Sequence, residues 1–143
     1  MRYTRFPDHW LPSWPVVEHF RIARTKGDLA AATKALENFH DHYQKLPLNS
    51  PDREYQFSIT LGHELNGVSP GVKCHNTDGI IFWSLSAGEQ QDGWGKLYHF
   101  YFDHDGDGFV HPGGATLKRT FVIWSDGPNG RDEAGNGDDL RNW

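Results

Sequence analysis

The stretch 101-YFDHDGDGFVHPGG-114 decides between two folds. Asp103, Asp105 and Asp107 fall at alternate positions and Gly108 follows the last, which is how an EF-hand calcium loop begins: oxygen donors at positions 1, 3 and 5 and a glycine at 6. Position 12, where that loop requires a bidentate Glu, is Gly114. The flanks fail as well. An EF-hand needs a helix on each side, but 97-LYHFYF-102 is an aromatic run of strand formers, and Pro112, Gly113 and Gly114 forbid a helix after the loop. The segment therefore reads as a strand followed by a hairpin connection. Its three aspartates form at most a weak second metal loop.

Two more segments share that strand character. The runs 80-IIFWSL-85 and 120-TFVIWS-125 are short, apolar and rich in β-formers, with Gly and Asp clusters between them. Upstream the period changes. From 29 to 43 the apolar residues Leu29, Ala32, Leu36, Phe39 and Tyr43 recur at three and four, which is one face of an amphipathic helix. Pro47 sets its end, because the residue before a proline is pushed out of the helical region. A shorter helix is expected over 16–25, ended by Gly27, with Asp28 as N-cap of the long one. Residues 51–79 read as a short helix or turns around 55–65 followed by a loop. A long helix followed by an antiparallel meander is an α+β layout, with the helix packed on one face of a small sheet.

The chain's 143 residues are one domain's worth, divided into a Pro- and aromatic-rich arm with its short helix (1–28) and a globular region (29–143). A net charge of −5 without a basic run excludes a nucleic-acid backbone as partner, since phosphate binding needs clustered Lys and Arg. Such acidity suits a divalent cation. The single cysteine, Cys74, excludes an intramolecular disulfide and leaves the redox compartment open. No window approaches the roughly eighteen apolar residues of a membrane span, and the first fifteen residues lack a signal-peptide apolar region. The expectation is a soluble chain, cytoplasmic unless exported or trimmed.

The tail 125-SDGPNGRDEAGNGDDLRNW-143 has little to bury, so a disordered or solvated acidic turn is one reading. Leu140 and Trp143 favour another, in which the chain leaves the fold and two apolar anchors pull it back. Such a loop crowds Asp126, Asp132, Glu133, Asp138 and Asp139 together, and a hard cation accepting six to eight oxygens relieves the repulsion.

The tail also resembles the C-terminal end of the type II secretion major pseudopilins and their prepilin-like relatives. There a strand runs into Ser-x-Gly, an Asp-Gly or Asn-Gly turn, a glycine-rich stretch, and an acidic pair before Ile or Leu and a closing Trp. The stretch 92-DGWGKLYHFYF-102 is similar to the entry to the first strand in those proteins, and 43-YQKLPLNS-50 to the end of their long helix. The resemblance implies a pilin-like α+β fold with calcium held between the last strand and the terminus. Carried over by residue, it implies Ser125, Asn129, Asp138 and Asp139 as ligands. Asn129 stands where the family usually has Asp, and the acidic pair is shifted by one, since Gly137 and Asp138 occupy positions where Asp and Ala are common. The other departure is at the N-terminus. Pilins polymerise through a long apolar helix that follows a cleavage site, and three prolines and many charges precede Leu29 instead. The implied function is a non-enzymatic module, calcium-stabilised, acting in binding or assembly with a protein partner not identified by sequence.

Nine histidines raise the alternative of a small metal-dependent enzyme using the acidic loop near His104. The spacing argues against it. His40 and His42 lie on different faces of a helix, and His63 with Glu64 lacks the second His four residues on that a helical zinc site requires. His104 and His111 flank the acidic loop, where a solvated turn histidine is the commoner role. No nucleophile elbow, phosphate-cradling loop or Cys-His pattern occurs, and the expectation is that the chain is not an enzyme.

Overall fold

The periodic face of 29–43 packs as its spacing predicts: Leu29, Ala32, Ala35, Leu36 and Phe39 are all buried in the main core. The computed structural model describes residues 14–47, 54–67, 75–83 and 90–143. The arm up to residue 13 lies outside them.

The helix itself is longer than its amphipathic half. This helix, α1, is continuous over Trp14–Tyr43, so Gly27 does not end a first helix and Asp28 does not cap a second. An interior glycine costs about 1 kcal/mol relative to alanine, and tertiary contacts offset it here. Thr25, fully buried, accepts a hydrogen bond from Gly93 N at 2.9 Å through its hydroxyl. Glu18 accepts one from the Trp94 indole at 3.0 Å. Asp28 accepts from the Tyr98 hydroxyl at 3.0 Å and from the Gln90 amide at 3.1 Å. Burial, with the Asp28 charge added, holds the Tyr98 hydroxyl protonated far above its ordinary range. The first half of α1 is thus clamped by the turn that leads into the sheet.

The sheet has four antiparallel strands in chain order: β1 (Glu54–Gln56), β2 (His99–Phe102), β3 (Phe121–Ser125) and β4 (Leu140–Arg141). This α+β arrangement of one long helix, a short second helix and a small antiparallel sheet is the layout expected. Its membership differs at two points. β1 comes from the segment read as helix or turns, and pairs Tyr55 with Phe100. The 80–83 part of the expected strand instead crosses the end of α2 (Ile59–Asn66), where the Phe82 and Trp83 amides both donate to the Leu65 carbonyl. Residues 84–85 lie outside the described set. α2 has a conventional start and stop, with Ser58 accepting from Leu61 N and Gly67 closing it in the left-handed region.

Alternation sorts the central strands onto two faces. Phe100, Phe102, Phe121 and Ile123 meet α1 in the main core. Tyr101, Val122 and Trp124 point the other way, into a second cluster closed by Val110, Leu117, Ala134 and Trp143. Loops therefore cover the face that the helix does not. β3 is buried along its whole length, so both its edges must be paired. β2 takes one and β4 the other, with Trp124 opposite Arg141 and Ser125 opposite Leu140. Asn142 extends that edge, exchanging hydrogen bonds with Ile123 and donating to Thr33 of α1 at 3.1 Å.

Two glycines on this frame respond oppositely to a methyl group. A Cβ at Gly27 meets nothing within 4 Å, whereas one at Gly93 would lie 2.7 Å from the Arg21 carbonyl oxygen. Gly27→Ala is expected to stabilise by about 0.5–1 kcal/mol, a rise of roughly 2–5 °C in melting temperature for a domain of this size. Gly93→Ala is expected to lower it. Calorimetry of the two variants checks both signs, and a fall for Gly27→Ala would mean the helix is broken there.

Candidate metal centre

Between β3 and β4 the chain makes an excursion over 126–139 and returns to pair with the strand it left. The two anchors grip opposite faces: Leu140 packs against the main core and Trp143 against the second cluster. Trp143 sets its ring edge-on to Trp124, with centroids 6.0 Å apart, and lies under the Arg141 guanidinium at 5.2 Å. Closure at both ends turns a glycine-rich acidic stretch into a defined loop.

Within it Glu133, Asp138 and Asp139 converge, each offering a carboxylate oxygen within 4.8 Å of the others. Asp139 Oδ2 accepts from the backbone amides of Glu133 at 2.8 Å and Gly135 at 3.0 Å. Asp138 Oδ2 accepts from Asn129 N at 3.0 Å. The remaining oxygen of each aspartate, Oδ1, is buried and makes no hydrogen bond among the described residues. One oxygen of each carboxylate shapes the loop while the other is uncommitted. Glu133 Oε1 receives the Asn129 side-chain amide at 3.2 Å and Asp138 N at 3.3 Å, closing the group on itself. Gly137 has φ +59°, and a Cβ there would run into the Glu133 carboxylate, so the close approach needs glycine.

The four tail residues suggested by the resemblance divide. Asp138 and Asp139 belong to the convergent group. Asn129 lies beside it, with its Oδ1 accepting from Arg131 N at 2.8 Å. Ser125 is elsewhere: its hydroxyl donates to Asp92 Oδ2 at 2.6 Å and accepts from Gly127 N. Asp92 is itself buried, its other oxygen receiving the amides of Trp94 and Lys96 at 2.9 Å. The serine thus ties the end of β3 to the turn before β2. Glu133, one of the crowded acids of the tail, takes its place in the group, reachable in sequence only by counting the loop's return. Asp126 and Asp132 turn away from the group, toward His99 and the Trp124 indole.

The loop at Asp103, Asp105 and Asp107 also brings three carboxylates within 4.8 Å of one another. Here oxygens of all three accept local amides: Gly106 and Gly108 on Asp103, Asp107 N on Asp105, and Phe109 N on Asp107. Asp105 and Asp107 are exposed. The arrangement is a set of Asx turns bridging β2 and β3. His104 rests on Phe102 with ring centroids 5.8 Å apart, and burial, together with the nearby His75, holds its imidazole below the ordinary range. His111 sits 3.4 Å from Thr116 Oγ1 through Nδ1.

Comparison of the chain with protein-family models, with curated proteins and with solved structures yields no match.

Burial pushes the Asp139 carboxyl up to about 6, against the two amide hydrogen bonds that lower it and with the neighbouring Glu133 and Asp126 adding to the rise. In metal-free protein the folded chain therefore holds this proton to higher pH than the unfolded chain. The resulting stability is present below the ordinary carboxylate range and lost as pH rises toward 6. Asparagine cannot titrate, so in chelator the stability of Asp139→Asn relative to the parent should increase between pH 4 and 6.5. Urea denaturation at a series of pH values checks this, and a difference independent of pH would contradict it.

Proposed function

We propose that the chain is a non-enzymatic, pseudopilin-like module whose acidic C-terminal loop binds calcium, and that the ion stabilises the domain for a role in binding or assembly. The observation that carries the reading is the pair of buried aspartate oxygens, Asp138 Oδ1 and Asp139 Oδ1, without hydrogen-bond partners among the described residues, beside the Glu133 carboxylate. A buried unpaired carboxylate oxygen is costly, and three carboxylates at close range repel one another. A hard cation removes both costs. The donors are all oxygen, and the loop is rich in glycine carbonyls that can complete a shell of six to eight, which suits calcium better than the smaller, strictly octahedral magnesium.

The resemblance of the tail to the pseudopilin C-terminus supports the same ion at the same place, with Glu133 joining Asp138 and Asp139. The assembly role rests on that resemblance. The non-enzymatic reading rests on the absence from the sequence of a recognisable nucleophile, base and electrophile set.

If the ion binds only the folded chain, calcium at 100 times its dissociation constant adds about 2.7 kcal/mol, a rise of roughly 5–12 °C in melting temperature. Magnesium should produce much less. Glu133→Gln and Asp138→Asn keep their hydrogen-bonding oxygens and lose charge, so each should at least halve the calcium-dependent rise and leave the melting temperature in chelator within a few degrees of the parent. Thermal melts with calcium, magnesium and chelator make the test. A melting temperature indifferent to calcium in the parent would overturn the proposal.

A further inference from the structure

A second constellation lies on the sheet face away from α1, at His99. This residue of β2 is 4% exposed, and its ring stacks on Trp124 at 5.4 Å and 14°. Its Nε2 lies 2.7 Å from Asp126 Oδ1. A carboxylate only accepts, so this contact places a ring proton on Nε2, and Nδ1 is the nitrogen open to a second proton or to a metal. That Nδ1 is buried and makes no hydrogen bond among the described residues. It faces two more carboxylates, with Glu54 Oε2 at 2.9 Å and Asp132 Oδ2 at 3.7 Å.

The negative charge gathered around this ring is neutralised by a proton on Nδ1 or by a cation. The distances admit a metal ion. Ligands about 2.0–2.1 Å from a tetrahedral zinc stand roughly 3.3 Å apart, and the two observed separations bracket that value. The groups that orient the ligands are also in place. Metal-binding histidines commonly donate their other ring N–H to a carboxylate, which fixes the tautomer and raises the basicity of the ligating nitrogen, and Asp126 is positioned to do this. Asp132 is fixed in turn, its Oδ1 accepting from the Trp124 indole at 2.8 Å and from Ala134 N at 3.0 Å. Glu54 and Asp132 lie at the solvent side, with their side chains 36% and 33% exposed.

We propose that His99 Nδ1, Glu54 and Asp132 form a site for a borderline divalent metal of the zinc class, with Asp126 orienting the histidine. One nitrogen and two carboxylate oxygens select against calcium and magnesium, which prefer all-oxygen shells. Three protein ligands leave a fourth position for water. The site uses none of the three carboxylates of the calcium loop, and it stands or falls separately from that loop.

The test is a titration of the intact chain with cobalt(II), followed by its visible absorption, and with zinc by calorimetry, both in excess calcium so that the tail loop is filled. The parent should bind one equivalent and show the intense bands of four-coordinate cobalt. Glu54→Gln, at a partly exposed position that tolerates the change, should weaken zinc binding at least tenfold. Asp126→Asn should weaken it about 10- to 100-fold while retaining the four-coordinate spectrum. Cys74→Ser and Asp105→Asn should bind as the parent does. Weak six-coordinate absorption, zinc affinity unchanged in Glu54→Gln, or binding lost only in Cys74→Ser would each overturn the proposal, and the histidine is then a buried imidazolium paired with carboxylates.

Discussion

The constraint on which the rest depends is the need to pair the outer edge of β3. Every residue of that strand is buried, so its free amides and carbonyls cannot turn to water. Among the described residues, the last few of the chain supply the missing partner, through Leu140, Arg141 and the two-way hydrogen bonding of Asn142. Because β4 must return beside the strand that the chain has just left, everything between becomes a closed loop. A stretch that would be a solvated acidic tail in isolation is held in one shape.

Closure distributes the acids of that loop by direction. Asp126, next to β3, turns under the sheet to His99. Asp132 reaches the Trp124 indole. Glu133, Asp138 and Asp139 turn inward on each other. The loop thus contributes to two groups of different donor chemistry: an all-oxygen one of its own, and one that Asp132 shares with Glu54 of β1 and the nitrogen of His99 on β2. The helix takes part from the other side. Thr33 receives Asn142, while Thr25, Glu18 and Asp28 hold the turn at 90–98, whose Asp92 grips Ser125. The same contacts that keep α1 continuous through Gly27 fix the root of the acidic loop.

What was legible in sequence was whatever repeated with a period. The apolar spacing of 29–43 and the aromatic runs at 97–102 and 120–125 lead directly to the buried half of α1 and to β2 and β3. β1 has three residues and no period to read; it is a strand because β2 offers it an edge. The run at 80–83 has strand composition, but the Leu65 carbonyl at the end of α2 takes its amides first. Gly27 looks like a stop only when the contacts of Thr25 and Asp28 are unknown. In the tail, Asp138 and Asp139 were legible as adjacent acids before an apolar anchor. Glu133 is one of five crowded acids in sequence, and only the fold of the loop sets it beside Asp138 and Asp139, while the Ser125 hydroxyl is held by Asp92, which no spacing in the tail signals. His99 carried no signal. It sits inside an aromatic strand, and its carboxylate neighbours come from β1 and from the tail loop, both distant in sequence.

We propose the closed loop 126–139, and not the alternate-aspartate loop at 103–108, as the principal calcium site. The most direct measurement is a calcium titration of the ¹⁵N-labelled chain followed by the backbone amide resonances. The account predicts saturable shifts at Glu133, Gly135, Asp138 and Asp139 at calcium concentrations that leave Asp105, Gly106 and Gly108 unmoved. Shifts that begin at 103–108, or a tail that does not respond at any concentration, would contradict it.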